Sequence, residues 1–247
     1  LIPQEALVDA AVWHLQLDQF EPAQILEQRL YAAQQETAEV SSVDFLDQLA
    51  AGTAAPGGGS ASAYSGAAGA ALVAMVARLT IGKKKYAAVE AQMQSVLERA
   101  DGLRRELTSE IQRDAAAFEA VMAAFKLPKE TPEQQDARAR AVEQATLQAS
   151  RVPLEVAGKS VEVLELASQV VALGNVNAIS DGATAAALAR AALAGAGYNV
   201  RINIGNLQDQ AAAQPLLDRL IELERRATQI EDQVRNDLHN RGGMPLE

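Results

Sequence analysis

An all-α fold, an antiparallel bundle of long helices, is predicted by three features of the sequence. Nearly every apolar segment repeats at spacings of three and four residues rather than in alternation, alanine is abundant, and aromatic residues make up only 4% of the chain. At 247 residues the chain is long enough for one large domain plus a small appendage, with a core that needs no metal or disulfide staple.

The appendage comes first. Leu7, Ala10, Trp13 and Leu17 keep helical spacing over residues 5–17, and a second short helix is expected from Pro22 to about Ala38. The main body, 41–247, begins near Ser41, Ser42 and Asp44, which make an N-cap region before Phe45, Leu46 and Leu49. After the turn Pro56-Gly57-Gly58-Gly59, a tightly packed helix starts near Ser60, in which Ser62, Gly66, Gly69 and Ala70 let a neighbouring helix approach closely. A long helix follows from about Tyr86 to Phe125, striped by Val89, Met93, Val96, Ala100, Leu103, Leu107 and Ile111, and Pro128 closes it. Thr131-Pro132-Glu133 starts the next, with a capping residue, proline in the first turn and an acid near the positive end. That helix is expected to end before Pro153, with further helices over 154–172 and 180–197. The last, 208–238, carries Leu220, Leu223, Ala227, Ile230 and Val234 as a coiled-coil-like seam, which either packs inside the bundle or joins a second subunit. A homodimer is the general expectation.

Composition narrows the function classes. The net charge of -10 argues against nucleic acid and anionic membrane surfaces as partners and leaves a small molecule or a protein. The absence of cysteine removes disulfides, thiolate metal sites and a cysteine nucleophile, and fits a reducing compartment. His14 and His239 stand at opposite ends of the chain, so no metal site is expected. The chain starts at Leu1 and no basic region precedes an apolar run, so a cytoplasmic fragment or processed product is expected, without a signal peptide. The uncharged stretch between Asp47 and Arg78 is mostly alanine, glycine and serine, and reads as a buried helix rather than a membrane span.

Candidate site residues follow from local pattern. Asp114 continues the apolar stripe of the long helix past Ile111 and precedes Phe118 on it; a carboxylate there must be paired, hydrogen-bonded or protonated. It is either a functional acid or a partner in an inter-helix hydrogen bond or ion pair. The connection Gly174-Asn175-Val176-Asn177-Ala178-Ile179-Ser180-Asp181 is dense in polar groups, with Asp181 at the positive start of a helix; a well-capped loop would look the same. Gly57, Gly58, Gly59 and Ser60 set a side-chain-free turn before a helix N-terminus, where free amides can receive a polar ligand edge. No lysine follows at the Walker offset and no strand precedes, so neither nucleotide fingerprint applies. Lys83-Lys84-Lys85-Tyr86 is the only basic cluster in an acidic chain, either a solvated face or a receiver for an anionic tail.

Taken in order, Phe45-Leu46-Asp47 through the glycine turn, Gly82-Lys83-Lys84-Lys85-Tyr86, Asp114 with Phe118, Leu127-Pro128-Lys129, Gly174 to Asp181, and Asn199-Val200-Arg201-Ile202-Asn203 resemble the cyclodeaminase/cyclohydrolase family of folate enzymes. The resemblance covers most of residues 41–240, and residues 1 to about 30 look like the closing helices of a glutamate formiminotransferase domain, which would then be fused upstream. Phe118 stands where the family favours tyrosine, so no phenol acts there, and Gly182 where alanine is common.

The resemblance implies ring closure of N5-formiminotetrahydrofolate to 5,10-methenyltetrahydrofolate with release of ammonia. It implies Asp114 for proton transfer and Asp181 for electrostatic stabilisation, or the reverse. The glycine turn with Asn175, Asn177 and Asn203 would contact the pterin, Lys83, Lys84 and Lys85 the glutamate tail, and no cofactor beyond the folate would be needed. The alternatives are the cyclohydrolase reaction at the same site, and a non-catalytic helical module assembled through the seam of the last helix.

Overall fold

The structure, a computed structural model, describes residues 8, 12–14 and 42–244. The helices expected over 5–17 and 22–38 therefore lie almost wholly outside the described residues. The chain divides into two compact units, Leu1–Ala50 and Ala51–Glu247. In the first unit α1 spans Ser42–Ala50 and starts where the serine-rich cap was expected.

The second unit is a bundle of α2 (Gly58–Thr80), α3 (Glu90–Phe125), α4 (Pro132–Leu173), α5 (Ile179–Gly205) and α6 (Gln210–Gly242). Short 3₁₀ turns at Lys84–Val89 and Val176–Ala178 lead into α3 and α5. No strand occurs among the described residues.

Cross-helix contacts fix the antiparallel register. Near one end of α2 the Ser60 hydroxyl lies 3.1 Å from the Ile111 carbonyl of α3, and near the other Arg78 pairs with Asp101 at 2.6 Å. Ser65 donates to the Leu188 carbonyl of α5 at 3.0 Å, and the Asn175 N–H donates to Thr80 Oγ1 at 2.8 Å. Arg113 meets Glu155 across α3 and α4, and Arg201 grips Glu224 bidentately across α5 and α6.

The core between these helices is built from Val73, Val76, Met93, Leu103, Leu107, Val163, Leu164, Leu193 and Leu220, all fully enclosed. Helix α2 is long and apolar enough to cross a membrane by length and composition, yet 61% of its most apolar window is buried inside the protein, as its small-residue pattern predicted. The seam Leu220, Leu223, Ala227, Ile230 and Val234 is buried as well. Of the two arrangements left open by the sequence, it is therefore the bundle's own core that covers this face.

Two boundaries differ from expectation, each for a physical reason. Helix α4 does not stop at Pro153 but runs through it. Proline there leaves the carbonyl of Ala149 without its i+4 donor, and Asn203 of α5 supplies one, its Nδ2 donating to Ala149 O at 2.8 Å. Helix α5 likewise continues past Gly195 and Gly197 to Gly205. Gly195, inside the helix, is a contact point: a Cβ there would collide with the Ser62 hydroxyl of α2, so the absent side chain is what allows the two helices to touch.

A prediction follows for the proline repair. Asn203→Ala should lower stability by about 1–3 kcal/mol, the usual cost of an unsatisfied buried polar group. In a Pro153→Ala background the restored N–H of residue 153 takes over, and the loss should shrink to a few tenths of a kcal/mol, roughly the scale of independent sites. Urea denaturation of the four chains in this cycle measures the coupling; equal losses in both backgrounds would refute the pairing.

Candidate active site

The register gathers the N-terminus of α2, the C-terminal half of α3, the first half of α4 and the C-terminal half of α5 around one cavity of about 660 Å³. Its apolar wall includes Phe118, Val121, Met122 and Phe125 from α3, with Val142 from α4 and Ile202 from α5. Its polar wall is formed by Gly57, Gly58 and Gly59, Asp114, Thr146, Asn199, Asn203, Asn206 and Gln208. Asp114 is the only ionisable residue among the lining side chains, so the cavity carries a carboxylate and no cation.

Asp114 reaches this position because α3 presents it on the same face as Leu107 and Ile111, against the first turn of α2. The fit depends on Gly59: a Cβ there would lie within 2.7 Å of the Asp114 carboxyl carbon and both its oxygens. Ser60, fully buried, places its hydroxyl 2.9 Å from Asp114 Oδ2 and 3.1 Å from the Ile111 carbonyl.

A hydroxyl has one proton and can also accept. With Asp114 ionised, Ser60 donates to the carboxylate; with Asp114 protonated, the carboxyl can donate to Ser60 Oγ while the serine proton turns to Ile111. Both protonation states are thus hydrogen-bonded without moving a heavy atom.

Burial pushes the Asp114 carboxyl above its ordinary value of 3.8. Hydrogen bonds from the Ser60 side chain and main chain oppose that rise, and the neighbouring Glu110 carboxylate adds to it. Glu110 lies one turn before Asp114 and is itself buried, held by Lys159 at 2.5 Å and Arg113 at 2.7 Å, with its Oε2 unpartnered. Asp114 forms no ion pair among the described residues, while its contact with Ser60 across α2 and α3 is the inter-helix hydrogen bond that the sequence also allowed.

The remaining residues singled out from the sequence are not brought to this cavity. Lys83, Lys84, Lys85, Tyr86, Asn175, Asn177 and Asp181 lie at the opposite end of α2 and at the start of α5. With about 1.5 Å of rise per residue, the 23 residues of α2 separate the two ends by about 35 Å. Within one copy of the chain, Asp114 and Asp181 therefore do not form a two-carboxylate site, and the lysines do not border the cavity.

The distant end has a structural explanation. Asn175 donates to the Leu79 carbonyl at 3.0 Å and accepts from the Asn177 N–H at 3.1 Å. Tyr86 accepts from the Val176 N–H at 3.0 Å, which lowers its phenol pKa, and Arg241 donates to the carbonyls of Val171 and Gly174. These groups tie the α4–α5 connection to α2 and to the end of α6.

Sequence reasoning missed Thr146, Asn199, Asn206 and Gln208 as wall residues, and Glu110 as the neighbour of Asp114. Asn199, Asn203 and Asn206 are spaced four and three apart, a signal of one shared helix face that was present in the sequence. Among the described residues no group of three or more His, Asp or Glu side chains could hold a metal ion.

Comparison with known proteins places this arrangement in context. Residues 41–222 match the formiminotransferase-cyclodeaminase family. The chain is 50% identical over 180 residues to methenyltetrahydrofolate cyclohydrolase of Methylorubrum extorquens, covering 73% of this chain and 85% of that protein. It is 33% identical over 190 residues to formimidoyltransferase-cyclodeaminase of Mus musculus, covering 77% of this chain but only 35% of the mouse protein. The chicken protein of the same name is 30% identical over 231 residues, covering 90% of this chain and 43% of its own length. Among solved structures, formiminotetrahydrofolate cyclodeaminase of Thermotoga maritima superposes with a TM-score of 0.74 at 28% identity, over 82% of this chain and 98% of that one.

Proposed function

The chain belongs to the formiminotransferase-cyclodeaminase family, within the cyclodeaminase/cyclohydrolase enzymes of folate one-carbon metabolism, and we propose that it converts N5-formiminotetrahydrofolate to 5,10-methenyltetrahydrofolate and ammonia. The observation that carries the reading is Asp114: a desolvated carboxylate, alone among ionisable groups on the wall of the cavity, with a hydroxyl beside it that accommodates either protonation state.

The chemistry needs such a group. N10 attacks the formimino carbon on N5 and must lose its proton; the amino nitrogen of the resulting tetrahedral adduct must gain one before it leaves as ammonia. Starting from the neutral formimino form, one proton is taken up overall and the product is the methenyl cation. Asp114 accepts the N10 proton and returns it to the departing nitrogen, and its charge favours the amidinium-like states on either side of the adduct. A carboxyl whose pKa is raised by burial is better matched to both halves of this transfer than an ordinary aspartate.

Deamination is favoured by the alignment with the chicken protein. Its coverage of 90% exceeds what residues 41–247 alone can supply, so part of residues 1–40 shares the similarity to a protein whose name joins the transferase and the cyclodeaminase. The second reading, interconversion of methenyl- and 10-formyltetrahydrofolate with water in place of ammonia, is favoured by the 50% identity to the Methylorubrum cyclohydrolase. The non-catalytic module loses its main support, since the seam it relied on is buried within the bundle.

The test is to mix the purified chain with N5-formiminotetrahydrofolate, follow the near-ultraviolet absorbance of the methenyl product and assay ammonia. Parallel growth of both signals is expected. Silence there, with accelerated equilibration of methenyl- and 10-formyltetrahydrofolate, would transfer the assignment to the cyclohydrolase reaction.

A further inference from the structure

The asparagines on the cavity wall are not free to present either end of their amides. Asn199 Nδ2 donates to the Gly195 carbonyl at 2.9 Å, Asn203 Nδ2 to the Ala149 carbonyl at 2.8 Å, and Asn206 Nδ2 to the Ile202 carbonyl at 2.9 Å. Each acceptor is a main-chain carbonyl, which cannot donate, so the amide orientation is fixed by the pairing. One N–H of each NH₂ group is spent on the backbone, which fixes the amide and leaves its second N–H; the Oδ1 atoms have no partner among the described residues, and those of Asn199 and Asn203 are not among the buried unsatisfied atoms.

Positions 199, 203 and 206 follow one face of α5, at steps of about 6 and 4.5 Å along the helix axis. With the Asp114 carboxylate nearby, three unpartnered Oδ1 atoms and no lysine or arginine on the wall, this side of the cavity is rich in hydrogen-bond acceptors. Thr146 and Gln208, the other polar side chains there, can act in either sense.

We infer that Asn199, Asn203 and Asn206 form an acceptor row that reads the donor edge of the pterin ring, its 2-amino group and adjacent ring N–H, and so sets the orientation of the bicycle in the cavity. The inference rests on the folate reading above and adds to it the specificity-determining residues and the ligand edge they select. An oxo group in place of the amino group would set acceptor against acceptor. A site whose acceptors are left unpaired or opposed rejects such an analogue far more strongly than an apolar pocket rejects a missing methylene.

The experiment measures binding of tetrahydrofolate and of its analogue carrying oxo in place of the 2-amino group, by anaerobic calorimetry. The chains are the wild type and the Asn199→Leu/Asn206→Leu double variant; Asn203 is left in place because it also serves the Ala149 carbonyl. Wild-type protein is expected to bind the amino compound at least about tenfold more tightly. In the double variant that preference should fall to about threefold or less while the melting temperature stays near that of the wild type. Equal binding of the two ligands by the wild type, or undiminished preference in the folded double variant, would overturn the inference and leave the folate reading standing. Failure of the wild type to bind either ligand would overturn the folate reading and the inference with it.

Discussion

Asp114→Asn is expected to reduce kcat by about a hundredfold to ten-thousandfold, the usual contribution of a positioned proton-transfer group, while leaving the fold at least as stable as the wild type at neutral pH. The two halves of this expectation have one cause. The cavity wall strips water from the carboxylate, which raises its affinity for a proton, and the Glu110 carboxylate one turn away does the same. A group whose folded pKa lies above its unfolded value binds more protons in the native state. Stability therefore falls as pH rises from the unfolded pKa through the folded one, and the ionised carboxyl costs stability at every higher pH. Asparagine has no charge to desolvate, and Ser60 retains the Ile111 carbonyl as its acceptor. The variant's melting temperature should match or exceed the wild type's at pH 7, and any gain should vanish as the pH drops through the raised pKa toward 3.8. The wild-type rate should show the complementary limb: the base must be ionised to accept the N10 proton, so kcat/KM should decline with acidification at a pH above the ordinary carboxylate range. An asparagine variant that turns over at the wild-type rate would remove Asp114 from the chemistry; one that is grossly destabilised at pH 7 would show that the carboxylate is structural.

How far the sequence could be read depended on whether a signal was local. The stripe from Met93 to Ile111, the capping residue and proline at Thr131-Pro132 and the apolar seam of α6 are patterns within single helices, and each recurs in the structure as the spacing predicts. Asp114 stood out for the same reason, as a charge interrupting a stripe. What failed were inferences about partners across helices. Pro153 reads as a terminator until Asn203, fifty residues later, is known to repair the carbonyl it orphans, and Gly197 reads as the end of a helix that in the structure continues to Gly205. Within one copy of the chain, Asp114 is likewise not grouped with Asp181, nor the glycine turn with Lys83–Lys85. Motif order along the chain says nothing about which end of an antiparallel bundle a residue occupies, and α2 alone carries the chain from one end to the other. The asparagine face of α5 was legible in its spacing, but its meaning as an acceptor row depends on carbonyls at 149, 195 and 202 that only the fold supplies.

Gly59→Ala should be damaging, and its effect should depend on Asp114. In most helices the exchange is favourable, alanine exceeding glycine in helix propensity by about 1 kcal/mol. Here the new Cβ would fall within 2.7 Å of the Asp114 carboxyl group, closer than side chains approach one another. Leu107 and Ile111 hold the α3 face against α2 while the Asp114 carboxylate borders the cavity, so either the aspartate leaves its rotamer toward the cavity or α2 shifts outward. Overpacking of this kind costs about 1–3 kcal/mol, more than the propensity gain returns. Either displacement also breaks the Ser60 contact at 2.9 Å and so should abolish turnover. Two controls separate this clash from a general intolerance of the glycine turn. Gly58→Ala would meet Asn199 Nδ2 at an ordinary 3.5 Å, and Gly205→Ala would meet nothing within 4 Å; both chains should melt close to the wild type. The decisive comparison is Gly59→Ala in an Asp114→Ala background. Shortening the aspartate vacates the space the methyl group needs, so the stability loss from Gly59→Ala should largely disappear there while activity stays absent. An undiminished loss in that background would mean that Gly59 is required for the path of the α2 backbone itself, and that the contact between the helix N-terminus and the carboxylate is incidental.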